Sequence, residues 1–285
     1  MSTDLRYDPH DGTPVHVVAS RQGRPNLPDD SCPFCVGGRE APGPYDVTWF
    51  TNRWPAMPDE RCEVVLYTSD HNASLATLGA NGIARVIDLW AERTTVLGSR
   101  DDVDYVLVFE NRGPEVGATI AHPHGQIYAY DHVPPRPARR LAVWTPDADP
   151  GDRHVVTVGE WSAVVPHAPV YPVALDIAPT THIADLASCS TDQRAALAVL
   201  LADVMDRLDR LFDQPLPYMM WLNQRPTTAH GWDDAWLSIE IVSPWRSAGV
   251  PRYIAAAEVA AEEYFNPVDP AELAGRLRAL ARGPQ

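Results

Sequence analysis

The chain has 285 residues with 38 acidic and 23 basic side chains, and its formal charge of −15 argues against a nucleic-acid surface or an anionic membrane as its main partner. Every basic residue is arginine, so a Schiff-base lysine and a P-loop lysine are excluded, and with them pyridoxal-phosphate enzymes and P-loop kinases. An apolar fraction of 45% is enough for a real core, and the 28 prolines are dispersed among Trp, Val and Leu, which describes a loop-rich globular protein of one large or two small domains.

Residues 1–45 are rich in Pro, Gly, Asp and Arg without periodicity and predict an irregular arm wrapped on the body. Strand-like runs follow at 47–51 and 63–68. Ile83, Ile87, Trp90, Thr94 and Leu97 then recur at helical spacing, with Gly98 as the expected C-cap. A strand at 105–110, a Gly-rich turn at 112–117 and a strand-like run at 120–130 complete the first half. Neither the polar N-terminus nor the longest apolar run, 195–201, which ends before Asp203, reads as a targeting or membrane segment, so a cytoplasmic protein without a membrane span is expected.

The second half repeats this order. Residues 161–165 and 173–178 read as strands, and Ser190-Thr-Asp-Gln193 reads as a capping box that opens a helix with the stripe Leu197, Leu201, Val204, Leu208 and Leu211. Strands at 218–222 and 237–242 follow, then a helix at 270–282 with Asp269 as N-cap and Pro270 in its first turn. Thr68-Ser-Asp-His71 matches Pro179-Thr-Thr-His182 and Phe109-Glu-Asn111 matches Trp221-Leu-Asn223, at offsets of 111 and 112 residues. Near-constant offsets point to a duplicated strand-helix-strand unit, against the alternative of two unrelated α+β stretches.

The most informative string is His122-Pro123-His124-Gly125-Gln126. In an extended chain, His122, His124 and Gln126 share one face about 7 Å apart, with Pro123 restricting the segment to a strand edge or start and Gly125 permitting close backbone approach. An offset of roughly 112 to 116 residues carries this segment onto Ser238-Ile-Glu240, so the second copy lacks both histidines. Cys32-Pro-Phe-Cys35 offers two thiolates to one metal ion, and His71 with a motif histidine would suit zinc; a pair of small buried hydrophobes is the other reading.

Taken together, Asp70-His71, Val108-Phe-Glu-Asn111, His122-Pro-His-Gly-Gln126 and Arg246-Ser247 resemble the galactose-1-phosphate uridylyltransferase family, a branch of the histidine-triad superfamily, and the likeness runs from Arg6-Tyr7 to about Glu263. It implies an α+β fold of duplicated histidine-triad-like units, an antiparallel sheet with helices packed on it. The two units would be a catalytic, zinc-bearing half at 1–150 and a degenerate half at 151–285. It implies that His124 is the nucleophile taking UMP from UDP-glucose for a hexose 1-phosphate in a ping-pong reaction, with Gln126 and Thr119 on the phosphoryl group. Arg21 and Arg24 match phosphate-contacting arginines, and Asn52 and Asn111 match nucleotide-contacting positions. Arg252, Tyr253 and Glu258 match hexose-contacting positions on a segment that reaches the partner subunit, so a homodimer is implied. A structural zinc ion would be held by Cys32, Cys35, His71 and His122.

Two departures qualify the likeness. The family's second metal site maps onto Arg140, Leu222, Ser238 and Glu240, so that site is expected to be absent. Ala255 and Ala257 stand where the family has valine and tyrosine, which loosens the expectation that the acceptor is galactose 1-phosphate and admits another sugar 1-phosphate. Alternatives are an ADP-sugar or dinucleotide-polyphosphate phosphorylase using the same histidine, and a non-catalytic zinc protein that binds nucleotides.

Overall fold

The two apolar stripes read from the sequence set two long helices against one face of a single sheet. The computed structural model describes residues 4–23, 31–228 and 230–282. In the first half these form β1 (Asp4–Tyr7), β2 (Pro14–Val17), β3 (Thr48–Thr51), β4 (Cys62–Leu66), α1 (Leu75–Gly98), β5 (Tyr105–Arg112), β6 (His124–Tyr130) and α2 (Pro135–Leu141). The second half contributes β7 (His154–Val158), β8 (Trp161–Val164), β9 (Val173–Pro179), α3 (Thr191–Arg210), β10 (Tyr218–Asn223), β11 (Ser238–Ser243), β12 (Trp245–Ser247), β13 (Val250–Pro251), α4 (Ala256–Ala261) and α5 (Pro270–Ala279). Among the described residues one nine-stranded sheet runs β3-β4-β6-β5-β10-β11-β9-β8-β7, with β1-β2 and β12-β13 as separate ribbons. Every neighbouring pair in it is antiparallel.

The order reads alike from either side of the β5/β10 seam. The set β4-β6-β5 faces β9-β11-β10, and α1 and α3 pack against each other over the seam. The predicted stripes of both helices are buried throughout. The capping box of α3 is formed, with Ser190 Oγ accepting from the Gln193 amide at 3.2 Å and Gln193 Oε1 accepting from the Ser190 amide at 2.9 Å. Asp269 Oδ1 likewise accepts the Ala271 and Glu272 amides at the start of α5.

Several boundaries differ from the sequence reading. Gly98 is no left-handed cap but the last residue of α1, with Ser99 as C-cap in right-handed geometry. A methyl there would lie 2.6 Å from Thr227 Cγ2, so packing explains this glycine. The same helix starts eight residues before the first predicted stripe residue and bends at Gly79, φ 64°. Residues 1–45 are not wholly irregular, because β1 and β2 form a ribbon. The unforeseen α2 starts within Pro134-Pro135-Arg136-Pro137, where prolines occupy first-turn positions that need no amide donor.

Strand β4 is buried on both faces. Val65 joins the core under α1, while Val64 and Leu66 cluster with Phe34 and Ala41 of the arm and with Phe50 of β3. On β6 the alternation is strict: Gly125, Ile127 and Ala129 face the helices, and His124, Gln126, Tyr128 and Tyr130 are half-buried on the opposite face. Val64, Gln126, Phe109, Trp221, Glu240 and Asp176 then stand in register across six strands.

Candidate active site

The strand β6 begins immediately after Pro123, as a residue without an amide donor requires, so His122 lies outside it. The expected row of three polar side chains is therefore shortened. His124 and Gln126 share the sheet face, whereas His122 is completely buried and turned toward the arm. There Cys32, Cys35, His71 and His122 place one ligand atom each within 4.8 Å of one another. Cys35 Sγ lies 3.5 Å from His71 Nδ1 and 3.7 Å from His122 Nδ1.

The donor set fits a zinc ion. His122 Nε2 is 2.8 Å from both the Thr68 carbonyl and the Tyr45 hydroxyl, which fixes the proton on Nε2 and leaves Nδ1 as the ligand atom. Burial holds His122 below the ordinary imidazole range, hence neutral. Burial first, and then the two thiols, pushes Tyr45 up to about 12, so its hydroxyl stays protonated and donates to the Phe34 carbonyl at 2.6 Å. The Cys32-to-Cys35 turn is closed by Gly38. A Cβ there would sit 2.6 to 2.8 Å from three backbone oxygens of that turn. Four protein ligands leave no open position, which is the pattern of a structural site.

His124 stands two residues further along, at the start of the strand. Its Nδ1–H donates to the His122 carbonyl at 2.8 Å, so the ring's lone pair resides on Nε2. The ring is held edge-on by Phe34 at 5.1 Å between centroids. Beside it Asn52 Nδ2 donates to Gln126 Oε1 at 3.2 Å, which turns the amide NH2 of Gln126 outward as a donor. Below β6, Gly125 is obligatory, because a methyl group there would lie 2.1 Å from Tyr67 Oη. His124, Asn111 and Thr119 line a cleft of about 620 Å³.

Arg21 reaches the same face through a 3.4 Å contact with the Tyr128 hydroxyl. Arg24 lies outside the described residues. None of Arg252, Tyr253 and Glu258 lines the His124 cleft of their own chain. Arg252 and Glu258 form a buried ion pair, and Glu258 Oε1 accepts the Phe265 amide at 2.9 Å, while Tyr253 is 79% exposed.

At the corresponding places of the second half the chemistry is different. His182 and Trp236 pack edge to face at 5.1 Å as His71 and His122 do at 5.5 Å, with an indole where an imidazole ligand stands. Glu240 occupies the register position of Gln126 and is gripped by Arg136 at 2.7 and 3.1 Å and by Arg140 at 3.3 Å; Arg140 also reaches Asp176 at 3.0 Å. Burial opposes ionisation of Glu240, but the two arginines and Asn223 outweigh it and hold this carboxyl below its ordinary range. Leu222 turns to the core and Ser238 is fully buried. The supporting residues Tyr45, Phe34, Thr68 and Tyr67 escaped the sequence reading, since single aromatic or carbonyl contacts leave no spacing signal.

Residues 51–134 match the family described as galactose-1-phosphate uridyl transferase, N-terminal domain, and residues 121–281 match its C-terminal domain. A galactose-1-phosphate uridylyltransferase of Thermotoga maritima is 33% identical over 310 residues, covering 96% of this chain and 98% of the relative. One of Streptomyces lividans is 34% identical over 250 residues, covering 79% and 71%. Among solved structures, a uridylyltransferase superposes with a TM-score of 0.85 at 27% identity, covering 96% of this chain and 97% of that one. An ADP-glucose phosphorylase of Arabidopsis thaliana shares the fold, with a TM-score of 0.77 at 21% identity over 99% and 100% of the two chains. On sequence over nearly its whole length, and on the sheet that carries the two halves, the chain belongs to the galactose-1-phosphate uridylyltransferase family.

Proposed function

We propose that the protein moves UMP between UDP-glucose and galactose 1-phosphate through a uridylyl group carried on His124. The observation that carries this reading is the 2.8 Å hydrogen bond from His124 Nδ1 to the His122 carbonyl, which presents Nε2 as nucleophile beside the outward amide of Gln126. Nε2 attacks the α-phosphorus; the N–P bond forms as the P–O bond to glucose 1-phosphate breaks. The positive charge gained by the ring is stabilised by the same carbonyl, and Gln126, Thr119, Arg21 and Arg24 donate to the phosphoryl oxygens. A phosphate oxygen of galactose 1-phosphate then attacks, breaking the N–P bond and restoring neutral His124. Asn52 and Asn111 border the nucleotide.

Zinc on Cys32, Cys35, His71 and His122 would supply structure only, tying the arm to the residue that anchors His124. Residues 1–150 serve as the catalytic half and 151–285 as the degenerate half. Arg252, Tyr253 and Glu258 serve the cleft of a partner subunit in a homodimer, a role supported by the exposed Tyr253, Val259 and Phe265 around them. No helix among the described residues is long and apolar enough to cross a membrane. Thiols suited to a metal clip are consistent with a reducing, cytoplasmic compartment.

The test is intact mass after mixing with UDP-glucose, and separately with ADP-glucose, without acceptor. A gain of one UMP, discharged by galactose 1-phosphate and absent in His124→Ala, is expected. Turnover retained in His124→Ala defeats the mechanism, and a gain of AMP discharged by phosphate moves the protein to the phosphorylase reading.

A further inference from the structure

Beneath the strand that presents His124 lies a set of buried polar groups that the reaction as written does not use. Tyr67, which follows β4, touches the backbone on both sides of His124. Its amide donates to the Pro123 carbonyl at 3.3 Å, and its Oη lies under Gly125 so closely that a methyl there would be 2.1 Å away. Around that hydroxyl stand Trp90 of α1 and Glu110 of β5. Tyr67 Oη, Trp90 Nε1 and Glu110 Oε2 are all buried, and among the described residues none of the three has a hydrogen-bond partner. The other carboxylate oxygen, Glu110 Oε1, accepts from the Tyr218 hydroxyl at 2.7 Å.

We propose that Glu110 is a positioning residue for His124, acting through Tyr67 on the backbone at Gly125. The group count supports this. Three donors, from Tyr67, Tyr218 and Trp90, stand around the Glu110 carboxylate, which already accepts from Tyr218. An ionised Glu110 has the acceptor capacity for both tyrosine hydroxyls, and Tyr67 Oη that for the Trp90 indole, so small adjustments would satisfy these three atoms. When Glu110 is protonated it becomes a fourth donor, and the phenol that fixes Gly125 loses its place. Glu110 sits next to Phe109 and Asn111, so the backbone that seats it also forms the floor of the cleft.

The charged and titratable groups around Glu110 come from four elements: Tyr67 from β4's extension, Tyr218 from β10, Arg112 from its own strand, and Asp209 from α3, which pairs with Arg112 at 2.6 Å. Burial dominates over the two tyrosines and Arg112 and pushes Glu110 up to about 7, so the switch between the two hydrogen-bonding states falls near neutrality.

The inference rests on His124 as nucleophile. The test is the single-turnover rate of UMP transfer from UDP-glucose to the protein, measured against pH for the parent, Glu110→Gln and Tyr67→Phe, with KM measured alongside. Any other group that titrates is common to parent and variant and cancels in the ratio of rates. Gln is neutral at every pH, so the ratio of Glu110→Gln to parent is expected to be near one on the acid side and to fall about tenfold as pH rises through neutrality, with KM little changed. Tyr67→Phe removes the hydroxyl through which Glu110 acts, so the Glu110-linked transition in the rate is expected to disappear in that variant. A ratio that is constant with pH, or a transition that persists in Tyr67→Phe, overturns the proposal. If Glu110→Gln fails to fold, Tyr67→Phe decides alone. Turnover in His124→Ala instead defeats the covalent mechanism; a dead His124→Ala with a flat ratio defeats this inference only.

Discussion

Gly125→Ala is the substitution whose effect can be worked most fully from the structure. The new methyl would sit 2.1 Å from Tyr67 Oη, 3.0 Å from its Cζ and 3.1 Å from the Phe109 carbonyl, all in the packed interior between β6 and α1. Ordinary contact begins near 3.4 Å, so β6 and the phenol must separate by roughly 1.3 Å, and the tyrosine is a ring wedged against Trp90 at 5.7 Å rather than a flexible chain end. Overpacking of this kind costs about 1–3 kcal/mol. For a chain of this size that is a fall in Tm of about 2–4 °C for each kcal/mol. The displaced strand is the one that carries His124, the proposed nucleophile, and a misplacement of about 1 Å there is expected to cost about 10²-fold in rate. Thermal unfolding and the rate of UMP transfer measure the two effects. Because the closest atom is the hydroxyl, Gly125→Ala is expected to cost less in a Tyr67→Phe background, a positive coupling in a double-mutant cycle. A Gly125→Ala protein with parental Tm and rate, or a cycle without coupling, would refute the reasoning.

His71→Ala removes one of four ligand groups from a closed cluster, so metal content measured by elemental analysis should fall well below one per chain and Tm should drop, with a smaller effect on the chemistry of the metal-loaded fraction. Parental zinc and parental melting would contradict the ligand set. Asp176 gives a pH prediction of definite sign. Burial, partly offset by Arg140, raises it from 3.8 to about 6, so between those values the folded chain holds a proton that the unfolded chain has released. Its contribution to stability is therefore lost as pH rises across that window. Asp176→Asn should make the slope of denaturant stability against pH less negative there, and identical slopes for parent and variant would overturn the assignment.

What the sequence made legible follows from periodicity and spacing. The stripes at Ile83 to Leu97 and Leu197 to Leu211 could be read because each helix buries one continuous face, and the Ser190 capping box because its two reciprocal hydrogen bonds need two residue types at fixed spacing. The duplication was visible in near-constant offsets, and the metal cluster in the resemblance its residues carry. The start of α1 was obscured by Gly79, which bends it, and α2 by three prolines that would break a helix interior but are tolerated in a first turn. His122 was expected to share a face with His124; Pro123 ends the pairing one residue too early for that, and the chain turns His122 toward Cys35. The Tyr67, Glu110 and Tyr218 group was invisible, since it joins β4, β5 and β10 through single contacts with sequence separations of more than a hundred residues in one case.

The two halves place different side chains at equivalent points of one scaffold. Both halves build the same three strands around a helix, and the register places Gln126 and Glu240 at equivalent points on the same sheet face. In the first half this row carries a neutral amide oriented by Asn52 next to an imidazole, a pair that can approach a phosphoryl group without adding negative charge. In the second half the row carries two carboxylates, Glu240 and Asp176, closed by Arg136 and Arg140. A phosphate approaching that row would meet acidic oxygens, and its natural donors, the two guanidiniums, are already spent on those oxygens. Ser238, buried at the place of His124, offers no accessible nucleophile. The second half thus differs in charge as well as in lacking histidines at the places of His122 and His124, and its ion-paired row fixes α2 against the sheet.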